Sequence, residues 1–186
     1  MSISLEAPPA PAEEIRFELT GRVVERIEGV LMTQARAIPA HQQASMMLSI
    51  FLGNTIKGQQ LGKIQAAPSE IHFDPQNMLI PDLFVILKEG ARCHLNPAEN
   101  QWEGCPHLCI EILSPSSIKL DRGKKFKLYE AFGVDEYWIL DPAQQTIEVY
   151  HLNEGGYELT GVFAGEDAVE SPLLPGLGMK AGGVFE

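Results

Sequence analysis

Cysteine is scarce in this chain. The 186 residues include only Cys93, Cys105 and Cys109, too few and too unevenly placed for a disulfide framework, so a reducing compartment is expected. Positive charge is short as well. Lys and Arg number 14 against 25 Asp and Glu, a net charge of −11, which argues against broad, non-specific adhesion to nucleic acid or to an anionic membrane. No apolar run approaches the roughly 20 residues that a membrane helix needs, so no membrane association is expected. The opening MSISLEAPPAPAEE has neither the basic n-region nor the apolar h-region of a secretory signal. It reads as a flexible arm over residues 1–14, ahead of one domain over 15–186, in a cytoplasmic protein. Internal repeats and low-complexity blocks are also missing.

What is present is a succession of short apolar strands. RFELTGRVVERIEGVLMT, residues 16–33, carries a Thr-Gly turn signal between β-branched segments and predicts an N-terminal hairpin or meander. Ala44, Met47, Leu48, Phe51, Leu52 and Ile56 recur at helical spacing after Pro39, and Gly58 is a suitable stop; a helix is expected over about 40–57. GKIQAAP and EIHF read as short strands, and DPQNMLIPD as a turn leading into the apolar run LFVIL. The polar stretch 88–106, rich in Gly, Pro and Asn, reads as a loop. Strand HLCIEIL follows, then a helix over about 121–132, then strand EYWIL closed by Asp141-Pro142. TIEVYHL and YELTGVF, separated by NEGG, make a hairpin, and the Pro- and Gly-rich tail is irregular. The order strand, helix, strand around 108–140 permits a right-handed crossover in a mixed sheet.

Two groups of residues could carry chemistry. CHLNPAENQWEGCPHLC brings Cys93, His94, Cys105, His107 and Cys109 close in sequence, and zinc takes such ligands. There is no CxxC pair, however, and Cys109 lies inside an apolar strand, where a thiol packs as a small hydrophobe. The second group begins with an anomaly, Glu111 in the middle of the strand CIEIL. Alternation puts Leu108, Ile110 and Ile112 on one face and Cys109, Glu111 and Leu113 on the other. The same rule sets Asp82 with Phe84 and Ile86. A buried carboxylate needs a cation, a metal or hydrogen-bond donors.

The next helix offers the cation. At about 100° per residue, Lys125 points within about 20° of the apolar direction set by Phe126, Leu128, Tyr129, Ala131 and Phe132, while Lys127 points to solvent and Lys124 to the margin. Asp121, four residues earlier, shares the inward edge. Lys119, Arg122 and Lys124 concentrate basic charge beside this strand and are the expected nucleic-acid contacts. Two carboxylates on neighbouring strands plus a lysine suit metal-assisted phosphodiester hydrolysis. Spacing alone favours the commoner arrangement, a buried salt bridge of Lys125 with Glu111 or Asp82 that only fixes the packing. Tyr129 and Trp138 read as core and Asp141 as a turn residue. Ser114 and Ser116 have no His and acid beside them and read as a strand stop.

The ordered series IPDLFVIL, LCIEILSPSS and KLDRGKKFKLYEAFGVDEYWILDP resembles the bacterial restriction endonuclease domain family within the PD-(D/E)XK nuclease superfamily, over about Glu18 to residue 160. The resemblance implies an α/β fold of the restriction-endonuclease-like type: a mixed sheet flanked by helices, with additional N-terminal and C-terminal β-hairpins. It implies a metal-dependent DNA endonuclease using Mg²⁺ or Mn²⁺ held by Asp82 and Glu111. Leu113 stands where the superfamily motif has lysine, and Lys125 matches a lysine moved to the following helix. Glu18 and His41 match accessory positions. A homodimer would supply two sites for two strands. A catalytically inactive nuclease-like binding module with a structural ion network is the alternative, favoured by the net charge.

Overall fold

The computed structural model describes residues 24–33 and 38–186. Two six-stranded sheets lie at its centre. The first is ordered β2-β1-β5-β4-β8-β7, from β1 (Val24–Ile27), β2 (Val30–Thr33), β4 (Ile71–Asp74), β5 (Asn77–Leu79), β7 (Arg92–Asn96) and β8 (Gln101–Cys105). The second is ordered β12-β11-β10-β9-β6-β3, from β3 (Gly62–Ala66), β6 (Leu83–Leu87), β9 (Leu108–Ile112), β10 (Glu136–Asp141), β11 (Thr146–Asn153) and β12 (Gly156–Ala164). Both are mixed, since β9 runs parallel to β10 and β4 parallel to β8 while their other pairings are antiparallel. The α/β architecture with a mixed sheet and terminal hairpins is therefore as expected.

The central strands β6, β9 and β10 of the second sheet are buried on both faces, which is why they read as near-continuous apolar runs. Leu83, Val85, Leu108, Ile110, Ile112, Trp138 and Leu140 face α1 (Pro39–Gly58), whose Ala44, Leu48, Leu52 and Ile56 form the stripe that the periodicity predicts. Pro39 opens this helix, where its missing N–H costs nothing. The opposite face presents Phe84, Ile86, Cys109, Tyr137 and Ile139 to the first sheet and to α2 (Phe126–Phe132). Gly133, at φ +78°, ends α2 in the left-handed conformation, with the N–H of Val134 returning to the carbonyl of Tyr129.

Several expectations are corrected. The N-terminal hairpin exists, but its turn within the described residues is Glu28-Gly29, with Gly29 at φ +78°; Thr20-Gly21 and the arm over 1–14 lie outside them. DPQNMLIPD is a turn followed by strand β5. Asp74 Oδ1 accepts the N–H groups of Gln76 and Asn77 and folds the chain back. The stretch 88–106 is an edge hairpin and not a loop. Its two strands bury only Cys93 and Trp102, so their alternation is faint in sequence. The helix expected over 121–132 opens with a six-residue π segment, Leu120–Lys125, a helical irregularity frequent at functional sites. The irregular tail is nevertheless core material: Val169, Leu174, Met179, Ala181 and Val184 are buried.

Candidate active site

Glu111 sits at the centre of β9, 3% exposed, on the face turned towards α2 and the first sheet. The strand alternation places it there, and two donors one helical turn apart meet it. Lys125 Nζ and Tyr129 Oη both donate to Glu111 Oε1, at 2.9 Å and 2.7 Å. The π segment and α2 bring these two side chains inward together, with Asp121 Oδ1 3.8 Å from Lys125 Nζ. Tyr129 is thus buried, as expected of a core aromatic, and also bonded to the acid.

Asp82 stands just before β6, on the strand that pairs antiparallel with β9. Its Oδ2 accepts the N–H of Ile112 at 2.7 Å and lies 3.1 Å from His41 Nε2. The Pro-Asp element is therefore bonded directly to the backbone beside Glu111. His41, in the first turn of α1, reaches it from the helical layer.

A further acid, which reading the sequence missed, completes the cluster. Glu25 of β1 is wholly buried. Its Oε1 lies 2.9 Å from Lys125 Nζ and accepts the N–H of Ile80 at 2.7 Å, while its Oε2 is buried without a hydrogen-bond partner. The alternation that marks Glu111 also sets Glu25 on the face of Ile27 in VERI. That signal could have found it.

Charge is badly out of balance here. Glu25, Glu111, Asp121 and Asp82 surround one lysine and one histidine. Burial raises Glu111 well above the ordinary carboxylate range despite Lys125, and Asp121, Asp82 and Glu25 push it further. Burial likewise lifts Asp121 to about 6, against the pull of Lys125 and a hydrogen bond from Ser117. Burial disfavours the charged form of Lys125, but Glu111, Glu25 and Asp121 outweigh it and hold the ammonium charged. For His41 too, burial is outweighed by the hydrogen bond and charge of Asp82, so its pKa is raised.

Such a surplus of carboxylate suits a hard divalent cation, which would relieve both the repulsion and the raised Glu111. Asp82 and Glu111 are the two acids that would hold it. Among the described residues no three or more His, Cys, Asp or Glu side chains converge as a metal-binding group. Mg²⁺, however, is usually held by one or two carboxylates, with water and substrate phosphate completing the shell.

The other candidates fall elsewhere. The Cys and His residues of 93–109 do not form a zinc site among the described residues. His107 Nδ1 accepts the N–H of Leu87, His94 lies near Glu103, and burial pushes the Cys93 and Cys105 thiols up to about 12 and about 11. Ser114 and Ser116 hydrogen-bond each other within the turn, and Asp141 Oδ1 accepts the N–H groups of Ala143 and Gln144 as a turn residue. Of the expected nucleic-acid contacts, Arg122 is doubly bonded to Glu148 and Lys124 pairs with Glu28; Lys119 is exposed. Glu18 lies outside the described residues. No helix among the described residues is long and apolar enough to cross a membrane.

Comparison with known proteins gives a consistent result. The model of the Uma2 family, described as "Putative restriction endonuclease", matches residues 12–182. An uncharacterized protein from Synechocystis sp. is 26% identical over 166 residues, which are 87% of this chain and 83% of that protein. The crystal structure of a putative nuclease from Anabaena variabilis shares the fold, with a TM-score of 0.71 at 22% identity over 87% of this chain and 89% of that one.

Proposed function

The chain belongs to the Uma2 family, and on that premise we propose that it is a metal-dependent endonuclease that hydrolyses phosphodiester bonds in DNA. The observation that carries this reading is the direct link between the two acidic elements. Asp82 Oδ2 accepts the N–H of Ile112, next to Glu111, inside a cluster whose carboxylates outnumber its cations. Asp82 and Glu111 are the residues to hold Mg²⁺ or Mn²⁺. When bound, the ion would lower the pKa of a water and offset charge on the phosphate.

The chain's own groups divide the remaining work. Lys125 and Tyr129 fix one oxygen of Glu111, which restricts the carboxylate to a single orientation. The Ile112 N–H and His41 do the same for Asp82. Lys125 supplies fixed positive charge beside the acids, of the kind that assists an attacking water and stabilises developing negative charge. Lys119, Arg122 and Lys124 lie on the segment following β9 and supply the local positive charge against which a DNA backbone would settle, once Arg122 and Lys124 exchange their carboxylate partners for phosphate. Cutting both strands would call for two copies of the chain.

A second reading, a catalytically inactive binding module, is favoured by one observation. Lys125 is 1% exposed, and both of its shortest contacts are carboxylates, as in an ion network that only fixes packing. Glu111→Gln separates the two. The purified protein should bind Mg²⁺ or Mn²⁺ in calorimetry and nick or cut DNA with either ion. The variant should keep its far-UV spectrum and lose cutting by at least the roughly 10–100-fold that removing a mere supporting partner of a metal ligand costs. Absence of divalent-cation binding in the unsubstituted protein would sink the nuclease reading at its first step.

A further inference from the structure

Lys125 lies 2.9 Å from Glu111, and a lysine so placed would ordinarily neutralise the acid and leave it little attraction for a second cation. Paired with Lys125 alone, Glu111 would be a poor metal ligand. Its neighbourhood answers the difficulty. The ammonium is shared with Glu25 at the same 2.9 Å and with Asp121 at 3.8 Å. Of these, Glu25 alone is wholly buried on a strand of the other sheet, 100 residues before Lys125 in the chain.

We propose that Glu25 is a positioning residue that takes up part of the Lys125 charge, so that the cluster around Glu111 keeps a net negative potential able to attract a divalent cation. Its anchoring supports the role. Glu25 Oε1 also accepts the N–H of Ile80, two residues before Asp82, so one carboxylate oxygen holds both the lysine and the approach to the second acid. Its other oxygen is buried with no partner, an arrangement costly for packing alone and consistent with a charge retained for its field. With Asp121 and Glu111, Glu25 brings the lysine's immediate surroundings to three carboxylates for one ammonium. This inference rests on the nuclease reading for the identity of the cation.

The test is Glu25→Gln, read by Mn²⁺ calorimetry and by the ¹⁵N spectrum of the lysine ammonium groups, with the Lys125 signal assigned through its loss in Lys125→Met. Glutamine is isosteric, and its amide NH₂ would occupy the place of an oxygen that bonds to nothing. The expected result is Mn²⁺ binding weakened on the order of tenfold at low ionic strength, since one nearby negative charge is lost. A shifted and faster-exchanging Lys125 ammonium signal should accompany it. Glu25→Gln/Lys125→Met, which restores the net charge of the cluster, should recover most of the affinity; a purely structural role for Glu25 would predict further loss instead. Unchanged Mn²⁺ affinity in the folded single variant, or a double variant weaker than the single one, would overturn the proposal. If the unsubstituted protein binds no Mn²⁺, the nuclease reading falls. The ammonium spectrum then decides separately whether Glu25 holds Lys125, and an unchanged signal in Glu25→Gln overturns that as well.

Discussion

Replacing Lys125 by methionine tests the centre of the cluster directly. Methionine keeps much of the stem volume of lysine and removes the only lysine ammonium within reach of Glu25, Glu111 and Asp121. Exchanging every member of a buried ion network for apolar groups can be nearly neutral, but removing the lysine alone leaves its acids buried without their counter-ion. Two charge-assisted contacts at 2.9 Å are lost, each worth about 1.5–3 kcal/mol, which gives about 3–6 kcal/mol. That agrees with the roughly 3–5 kcal/mol cost of removing one partner from a buried pair. The loss should also depend on pH. Glu111 and Asp121 are held above their unfolded pKa values by burial, so their folded state is favoured when protonated and disfavoured as pH rises. The destabilisation should therefore be larger at pH 8 than at pH 5. Urea unfolding followed by far-UV circular dichroism at both values measures it. With a slope of about 2 kcal/mol per M, a loss of 4 kcal/mol moves the midpoint by about 2 M. A midpoint at pH 8 equal to that of the unsubstituted protein, or a loss identical at both pH values, would refute the account of Lys125 as the shared counter-ion.

Two further outcomes follow from the same cluster. Asp121 is raised from 3.8 to about 6, so the folded chain holds a proton there that the unfolded chain has released. The stability from this group is present below the unfolded value and is lost as pH rises through about 6, amounting to about 3 kcal/mol across the window. Asp121→Asn should flatten that part of the stability profile, measured as urea midpoints at pH 4, 5, 6 and 7; an unaltered slope would show that another group carries it. Tyr129→Phe removes the 2.7 Å hydrogen bond to Glu111 and should cost about 0.5–1.5 kcal/mol, the usual net worth of a hydrogen bond, because Lys125 still donates to the same oxygen. The same variant should reduce DNA cutting less than Glu111→Gln does, since the carboxylate keeps Lys125; complete loss of cutting with full stability would give Tyr129 a larger part than orientation.

Much of the architecture was legible from local pattern. The apolar runs LCIEIL and LFVIL identify β9 and β6, and the two-residue period of a strand gives the face on which Glu111 lies. Period-3.6 spacing identifies α1, and the inward projection of Lys125 survives even though its turn is π and not α. These properties depend on which side of one element a residue occupies, and neighbouring residues encode that. The edge hairpin of β7 and β8 was not legible, because an edge element buries few side chains and depends on pairing with β4.

The composition of the site was divided along the same line. The sequence by itself determined that Glu111 and Asp82 are acids set among apolar neighbours and that Lys125 turns towards the core. Tertiary structure alone decided that Asp82 bonds to Ile112 across β6 and β9, that His41 meets Asp82 from the helical layer, and that Glu25 shares Lys125 with Glu111 from another sheet. The reason is physical. Periodicity specifies the direction of a side chain, but a partner distant in sequence is chosen by sheet order and register, and these follow from the burial of the whole chain.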